Sequence, residues 1–100
     1  MTIANFEVTR SSYELVTDTL TTTVIRVDDN ELNDVFEIVT DFQAPSTTIR
    51  DITADVFQHD HTYRARVALA YQAAFQDAYD AMPHESAPSD VVLAEFSVEY

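Results

Sequence analysis

Residues 59–82 read HDHTYRARVALAYQAAFQDAYDAM, and this stretch decides the fold class. Its apolar side chains recur at spacings of three and four residues, which places them on one face of an α-helix. Seven alanines in the same stretch add the highest intrinsic helix propensity. Asp60 or Thr62 can cap the first turn, and Pro83 disfavours helical geometry at the residue before it. The sequence therefore predicts one long helix over about residues 60–82. Its predicted core-facing side chains are Tyr63, Val67, Ala70, Tyr71, Ala74, Phe75, Ala78, Tyr79 and Met82.

The charges of this helix run against its dipole. Arg64 and Arg66 lie in the first turns, and Asp77 and Asp80 lie in the last. A helix dipole favours the opposite order by roughly 0.3–1 kcal/mol per group. We therefore interpret these charges as surface features that could extend an acidic surface around one edge.

Composition gives bounds on the class of protein and on its partners. One hundred residues, 46% of them hydrophobic, predict a single compact domain over residues 1–100. The chain has eighteen acidic residues, five arginines and no lysine, which gives a net charge of −13. Such a surface repels nucleic acid and anionic membranes, so the expected partner is a basic protein surface. With no cysteine, no signal-peptide pattern and no apolar run long enough to span a membrane, we expect a cytoplasmic protein.

Three segments carry clear strand patterns. Apolar and polar residues alternate over residues 4–8 and again over residues 92–100, which is typical of half-buried strands. Residues 21–27, TTTVIRV, are β-branched apart from Arg26, and β-branched residues favour strands.

Three further segments fit more than one structure. Residues 35–42, VFEIVTDF, fit a strand or a helix, and we prefer the strand because of its β-branched and aromatic content. Residues 47–57 fit a strand, or a short helix capped by Thr48. For residues 12–20 we predict a short second helix or an irregular turn, because Ser11 and Glu14 have capping-box spacing.

Together these elements predict an α+β domain. We expect an antiparallel or mixed sheet of four or five strands, with the long helix packed on one face. A ferredoxin-like order (strand, short helix, two strands, helix, strand) fits if residues 47–57 are an insertion.

The sequence lacks the common catalytic and cofactor motifs. Without glycine there is no phosphate-binding loop, and without lysine there is no Schiff base. His59, Asp60 and His61 resemble part of a metal site, but two histidines without a third spaced ligand rarely bind zinc. We interpret them as a helix entrance capped by Asp60, and we predict neither a metal nor a cofactor.

The acidic residues give the candidate site. If the strands pair as predicted, several acids share the sheet face away from the helix, and others extend this surface at one edge. The predicted partner-binding residues are Asp28, Asp29, Glu31, Asp34, Glu37, Asp41, Glu95 and Glu99, with Glu7 on the same face. Like charges on neighbouring strands are destabilising, so their retention favours a role in binding.

Dense negative charge of this kind predicts a nucleic-acid mimic that inhibits a nucleic-acid-binding protein and is not an enzyme. In size and charge the chain is similar to small acidic anti-restriction and anti-CRISPR proteins of phages, although no motif carries that similarity. One alternative is a structural or oligomeric protein whose acids only provide solubility or adaptation to high salt. Such a protein could form a homodimer through an edge strand such as residues 91–100. A second alternative is a small hydrolase that uses a pair of acids.

Overall fold

The computed structural model describes residues 3–27, 34–52 and 60–100, which form an α+β domain as predicted. Five strands make one antiparallel sheet with the order β4-β3-β2-β1-β5, and it curls around one helix. The strands are β1 (Ile3–Glu14), β2 (Thr19–Arg26), β3 (Val35–Asp41), β4 (Ser46–Asp51) and β5 (Glu95–Glu99), and the helix is α1 (His61–Asp80). A short 3-10 turn, Pro88–Asp90, precedes β5.

The core lies between the helix and one face of the sheet. Alternate residues of β2, β3, β5 and the first half of β1 are buried there, and Phe6 stacks on Phe96 with ring centroids 5.4 Å apart. Tyr71 of α1 contacts Phe96 edge-on, and its hydroxyl forms a buried hydrogen bond with Thr22 (3.0 Å). The buried core residues are Ala4, Phe6, Leu20, Val24, Phe36, Ile38, Val67, Tyr71, Phe75, Val91, Phe96 and Val98.

The predicted long helix is confirmed, and so is its cap. The Asp60 carboxylate accepts a hydrogen bond from the backbone N–H of Tyr63 (2.8 Å). The helix ends at Asp80, two residues before the predicted limit, where the Ala81 N–H still bonds to the Asp77 carbonyl. Its first turn holds no acid and its last turn no base, so the unfavourable order of charges is retained.

Of the two structures predicted for residues 12–20, the short helix is wrong, and the turn is confirmed for residues 15–18 alone. These residues form the end of β1, a turn over residues 15–18 and the start of β2. Asp18 has a positive φ of 53°, which asparagine and aspartate tolerate better than most residues. The ordered turn and the threonine-rich partner strand make a hairpin more stable than one isolated helical turn.

The ferredoxin-like order is also wrong, because β1 to β4 follow one another as a meander and only β5 crosses over to pair with β1. The preferred strand at residues 35–42 is confirmed as β3. Of residues 47–57, the first part belongs to β4, and residues 53–57 lie outside the described part of the chain. The last strand is shorter than the alternation over residues 92–100 indicates.

Candidate functional site

The outer face of the sheet, opposite α1, is the surface on which most predicted binding residues lie. Each strand alternates between the two faces, so residues next to buried core positions point outward. Glu37 lies between the buried Phe36 and Ile38, and Glu95 precedes the buried Phe96. The structure thus places the predicted acids Glu7, Glu37, Asp41, Glu95 and Glu99 on this outer face, and Glu14 of β1 lies there as well.

Three of these acids form a group that we call the acidic corner: Glu7, Glu95 and Glu99. Glu7 of β1 lies directly opposite Glu95 of β5, and all three residues are exposed. Like charges in directly opposed positions are destabilising. Within residues 3–27, 34–52 and 60–100, no cation pairs with any of the three.

The two acids of β3, unlike those of the acidic corner, form an ion pair or hydrogen bonds within the chain. The Glu37 carboxylate forms an ion pair with Arg50 of β4 (3.2 Å), its opposite partner in the ladder. One carboxylate oxygen of Asp41 accepts backbone N–H bonds from Gln43 and Ala44 (2.9 and 3.2 Å) and so holds the turn before β4. Both acids therefore have a structural role in addition to their charge.

Asp34 does not lie on the acidic surface, and its predicted exposed position is wrong. Its side chain is buried beside Arg26 (3.7 Å) and accepts a hydrogen bond from the Tyr63 hydroxyl (2.8 Å). Burial, together with the hydrogen bond to Asp34, raises the pKa of Tyr63. Such partners turn a carboxylate into a structural element because a buried charge needs compensation. The predicted binding residues Asp28, Asp29 and Glu31 lie outside the described residues.

Asp34 is the buried member of a set of four residues that we call the polar cluster: Arg26, Asp34, Tyr63 and Tyr100. Arg26 donates a hydrogen bond to the Tyr100 hydroxyl (2.9 Å) and lies 5.8 Å from the centre of that ring. The rings of Tyr63 and Tyr100 are 4.9 Å apart. This cluster links β2, α1 and the residue after β5. Sequence reasoning missed it, although an arginine inside a β-branched strand was a usable signal.

The middle of the outer face is neither acidic nor open, and sequence reasoning missed this feature too. Ile25, Val35 and Val39 project there and are half-buried, as are Thr21 and Thr23. Branched side chains on adjacent strands pack against each other and support the sheet. The outer face is thus an apolar and threonine-rich band with acids at its borders.

Other features of the described residues offer little for a cofactor. No group of three histidines and acids within residues 3–27, 34–52 and 60–100 could hold a metal ion. Asp60 caps the helix as predicted, whereas His59 lies outside the described residues. Clefts of about 190 Å³ beside Phe42 and about 400 Å³ beside Leu69 lie below or near the lower end of the ~300–1,000 Å³ of most ligand pockets.

In the part of the chain that the structure describes, α1 is too polar to serve as a membrane span. Comparison with known proteins finds no matching family model, no similar curated protein and no similar solved structure. The function is therefore argued from the chemistry of the surface.

Proposed function

We propose that the chain is a non-enzymatic binding protein that inhibits a nucleic-acid-binding protein by mimicking the negative charge of DNA or RNA. The observation that supports this most is the acidic corner, where Glu7 and Glu95 face each other on adjacent strands. A fold that needed only solubility would gain stability by placing a neutral or basic residue at either position. Retention of the repulsion favours a surface that a basic partner neutralises.

The spacing of these carboxylates suits a phosphate-binding groove. Directly opposed Cβ atoms are about 5 Å apart, and Glu95 and Glu99 are separated by about 14 Å along one strand. Lysines and arginines that contact phosphates could therefore meet several carboxylates at once. The predicted residues Asp28, Asp29 and Glu31 belong to the same proposal. The described residue before them, Val27, bonds through its N–H to the Asn5 carbonyl (2.9 Å), two residues from Glu7.

Under this proposal the partner is a basic protein surface, and neither nucleic acid nor membrane is bound directly. We place the protein in the cytoplasm, where such partners act, and we expect it to need no metal or cofactor. The anti-restriction or anti-CRISPR type of inhibitor is the form of mimic to which its size and charge are most similar.

The test is competition with nucleic acid. Basic proteins retained by the immobilised chain at low salt are eluted with increasing salt and purified, and each is bound to a fluorescent DNA or RNA duplex. The mimic should displace the duplex, and its affinity should fall steeply as salt rises. Retention without displacement of the duplex would contradict mimicry.

Two charge-reversal variants make this test specific for the outer face. Glu95→Lys with Glu99→Lys changes the acidic corner, whereas Asp77→Lys with Asp80→Lys makes the same change in net charge on α1. We expect the first to weaken displacement by about 100-fold, or ~2.7 kcal/mol, and the second by less than about threefold. Equal losses would mean that only total charge matters.

One observation favours the alternative of adaptation to high salt. Four exposed acids lie on α1 or between α1 and β5, and so are not confined to the strands of the sheet: Asp77, Asp80, Glu85 and Asp90. A protein adapted in this way should unfold at low salt and gain stability steeply with potassium chloride. Thermal unfolding across a potassium chloride series distinguishes this behaviour from that of a mimic, which needs no added salt to fold.

A further inference from the structure

The second half of β1 has an open edge. β5 pairs with β1 from Ile3 to Glu7, and the last backbone bond on that side joins the N–H of Val8 to the Ala94 carbonyl (2.8 Å). Residues 10–14 pair with β2 on one side, and none of the strands in the described part of the chain pairs on the other. All of residues 10–14 are exposed. An unpaired edge of this length is a surface on which another strand can add.

The backbone groups that point to this edge are those of Ser11 and Tyr13. The bond from Arg26 N–H to the Asp34 carbonyl (2.9 Å) shows that even-numbered residues of β2 bond to β3. Odd-numbered residues of β2 therefore bond to β1. Their β1 partners after Val8 are Arg10, Ser12 and Glu14. The N–H and C=O groups of the residues between these partners consequently point away from β2.

We propose that residues 10–14 pair with the same residues of a second copy of the chain, in a two-fold antiparallel arrangement centred on Ser12. Ser11 of each copy then exchanges backbone hydrogen bonds with Tyr13 of the other. Arg10 of each copy lies opposite Glu14 of the other, so the dimer gains two ion pairs. Both side chains are on the outer face, at positions where opposed Cβ atoms lie about 4.5–5.5 Å apart.

The hairpin turn supports the same arrangement. Val92, Val16 and Leu15 are the most exposed large hydrophobic residues of the described chain, at 90%, 88% and 77%. In the proposed pairing centred on Ser12, the turn over residues 15–18 of one copy lies beside the segment before β5 of the other copy. Val92 is in that segment. The turn is already ordered, because the Tyr13 hydroxyl donates a hydrogen bond to Asp18 (2.6 Å). The dimer thus covers apolar surface without first having to order this loop.

β5, the edge strand predicted from the sequence as a pairing segment, is a poorer surface for self-association than the open edge of β1. β5 does lie at an edge of the sheet, within the predicted pairing segment 91–100. However, if the β5 strands of two copies paired antiparallel over their whole length, Glu95 of each copy would lie opposite Glu99 of the other. The pairing would therefore contain two like-charge contacts. Like charges in opposed positions are destabilising, whereas the β1 edge brings opposite charges together. The charges therefore favour β1 as the dimer interface and leave β5 to the basic partner.

A charge-swap experiment tests the register. Arg10→Glu and Glu14→Arg each create like-charge pairs across the dimer, and we expect each to raise the dissociation constant about tenfold or more in sedimentation equilibrium. The double variant keeps the native net charge of −13 and restores both pairs with reversed polarity. We expect the dissociation constant of its dimer to be within about threefold of that of the native chain. An equimolar mixture of the two single variants should form a heterodimer.

A second pair of variants tests the backbone contact. Ser11→Pro removes an N–H that points to the open edge, so it should prevent dimerisation while leaving the sheet intact. Ser11→Ala keeps that N–H and is the matched control. Far-ultraviolet circular dichroism and a thermal melt on each variant establish that the fold is retained.

Three outcomes would overturn the proposal: a native chain that is monomeric across the concentration series, a double variant that does not dimerise, or a Ser11→Pro variant that dimerises normally. Because two copies of charge −13 repel each other, dimerisation should strengthen as salt screens the repulsion. Binding of a basic partner should weaken with salt, so failure of the dimer is separable from failure of the mimic.

Discussion

The acidic corner and the polar cluster lie on opposite faces of the same end of the sheet, and their carboxylates differ in exposure to solvent. Glu99 points outward and is exposed, whereas Tyr100, the next residue, accepts a hydrogen bond from Arg26 on the helix side. Asp34 is 5% exposed, and Glu7 faces another acid. The comparison shows that the side of the sheet on which these acids lie decides whether the carboxylate is buried among partners or exposed to solvent.

The largest expected effect is on stability, and it comes from removing Asp34, the buried carboxylate of the comparison. Asp34→Ala removes a buried carboxylate that pairs with Arg26 and accepts a hydrogen bond from Tyr63, and it should lower the free energy of unfolding by about 3 kcal/mol. Urea denaturation followed by circular dichroism measures this loss. The matched change Glu95→Ala on the acidic corner should alter stability by less than about 0.5 kcal/mol. Similar losses from both variants would mean that the two regions do not differ.

The second prediction concerns the hydroxyl that bonds to Asp34. Tyr63→Phe removes a hydrogen bond to a buried carboxylate and should cost about 1.5 kcal/mol at neutral pH. Burial raises the pKa of Tyr63 above its ordinary value, so the folded chain holds this proton more tightly than the unfolded chain does. The stability that this provides is present below pH ~10 and is lost as the pH rises above that value.

The pH dependence separates this loss from simple cavity formation. The native chain should lose stability in urea titrations above pH ~10, and Tyr63→Phe should lose less over the same range. Burial also raises the pKa of Tyr71, so part of the alkaline loss should persist in the variant. Parallel pH profiles for the two proteins would contradict a role for the Tyr63 proton.

The smallest expected effect concerns the acidic corner and measures the repulsion between Glu7 and Glu95. Glu7→Lys replaces the repulsion with Glu95 by an attraction and should stabilise the fold by about 0.5 kcal/mol, measured by urea denaturation at low salt. The reciprocal control is Glu37→Lys, which places a like charge opposite Arg50 and should destabilise the fold by a similar amount. Added salt should reduce both changes. A neutral or destabilising Glu7→Lys would show that the acidic corner is not strained.

Local patterns in the sequence were enough to predict the helix, its Asp60 cap and the face on which Glu37, Glu95 and Glu99 lie. Each of these depends on periodicity or on residues a few positions apart. Asp34 could not be placed in this way, because its partners Arg26 and Tyr63 come from other elements of the fold. Burial of a charge depends on such distant partners, which a single sequence does not reveal.

The short helix near residues 12–20 was wrong for a different reason. The pairing of β1 with β2 shifts between Val8 and Arg10, so Thr9 is an extra residue in the ladder. The apolar side chains before and after such a bulge occupy positions of opposite parity, which destroys the alternation that predicts a strand. Tyr13, on the helix side after the shift, contacts Phe42 at a ring distance of 6.3 Å.

Thr9 also determines which kinds of mutation the chain can tolerate. Its side chain bonds to the Thr23 carbonyl (3.2 Å) at the surface, so many substitutions there should be harmless. Loss of the residue altogether would join Val8 directly to Arg10, and their partners Val24 and Thr23 are already consecutive, so the ladder would become regular. Arg10 and Glu14 would stay on the outer face and Tyr13 on the helix side. In evolution, this position should therefore tolerate both substitution and deletion, and only the local bend of the bulge would be lost.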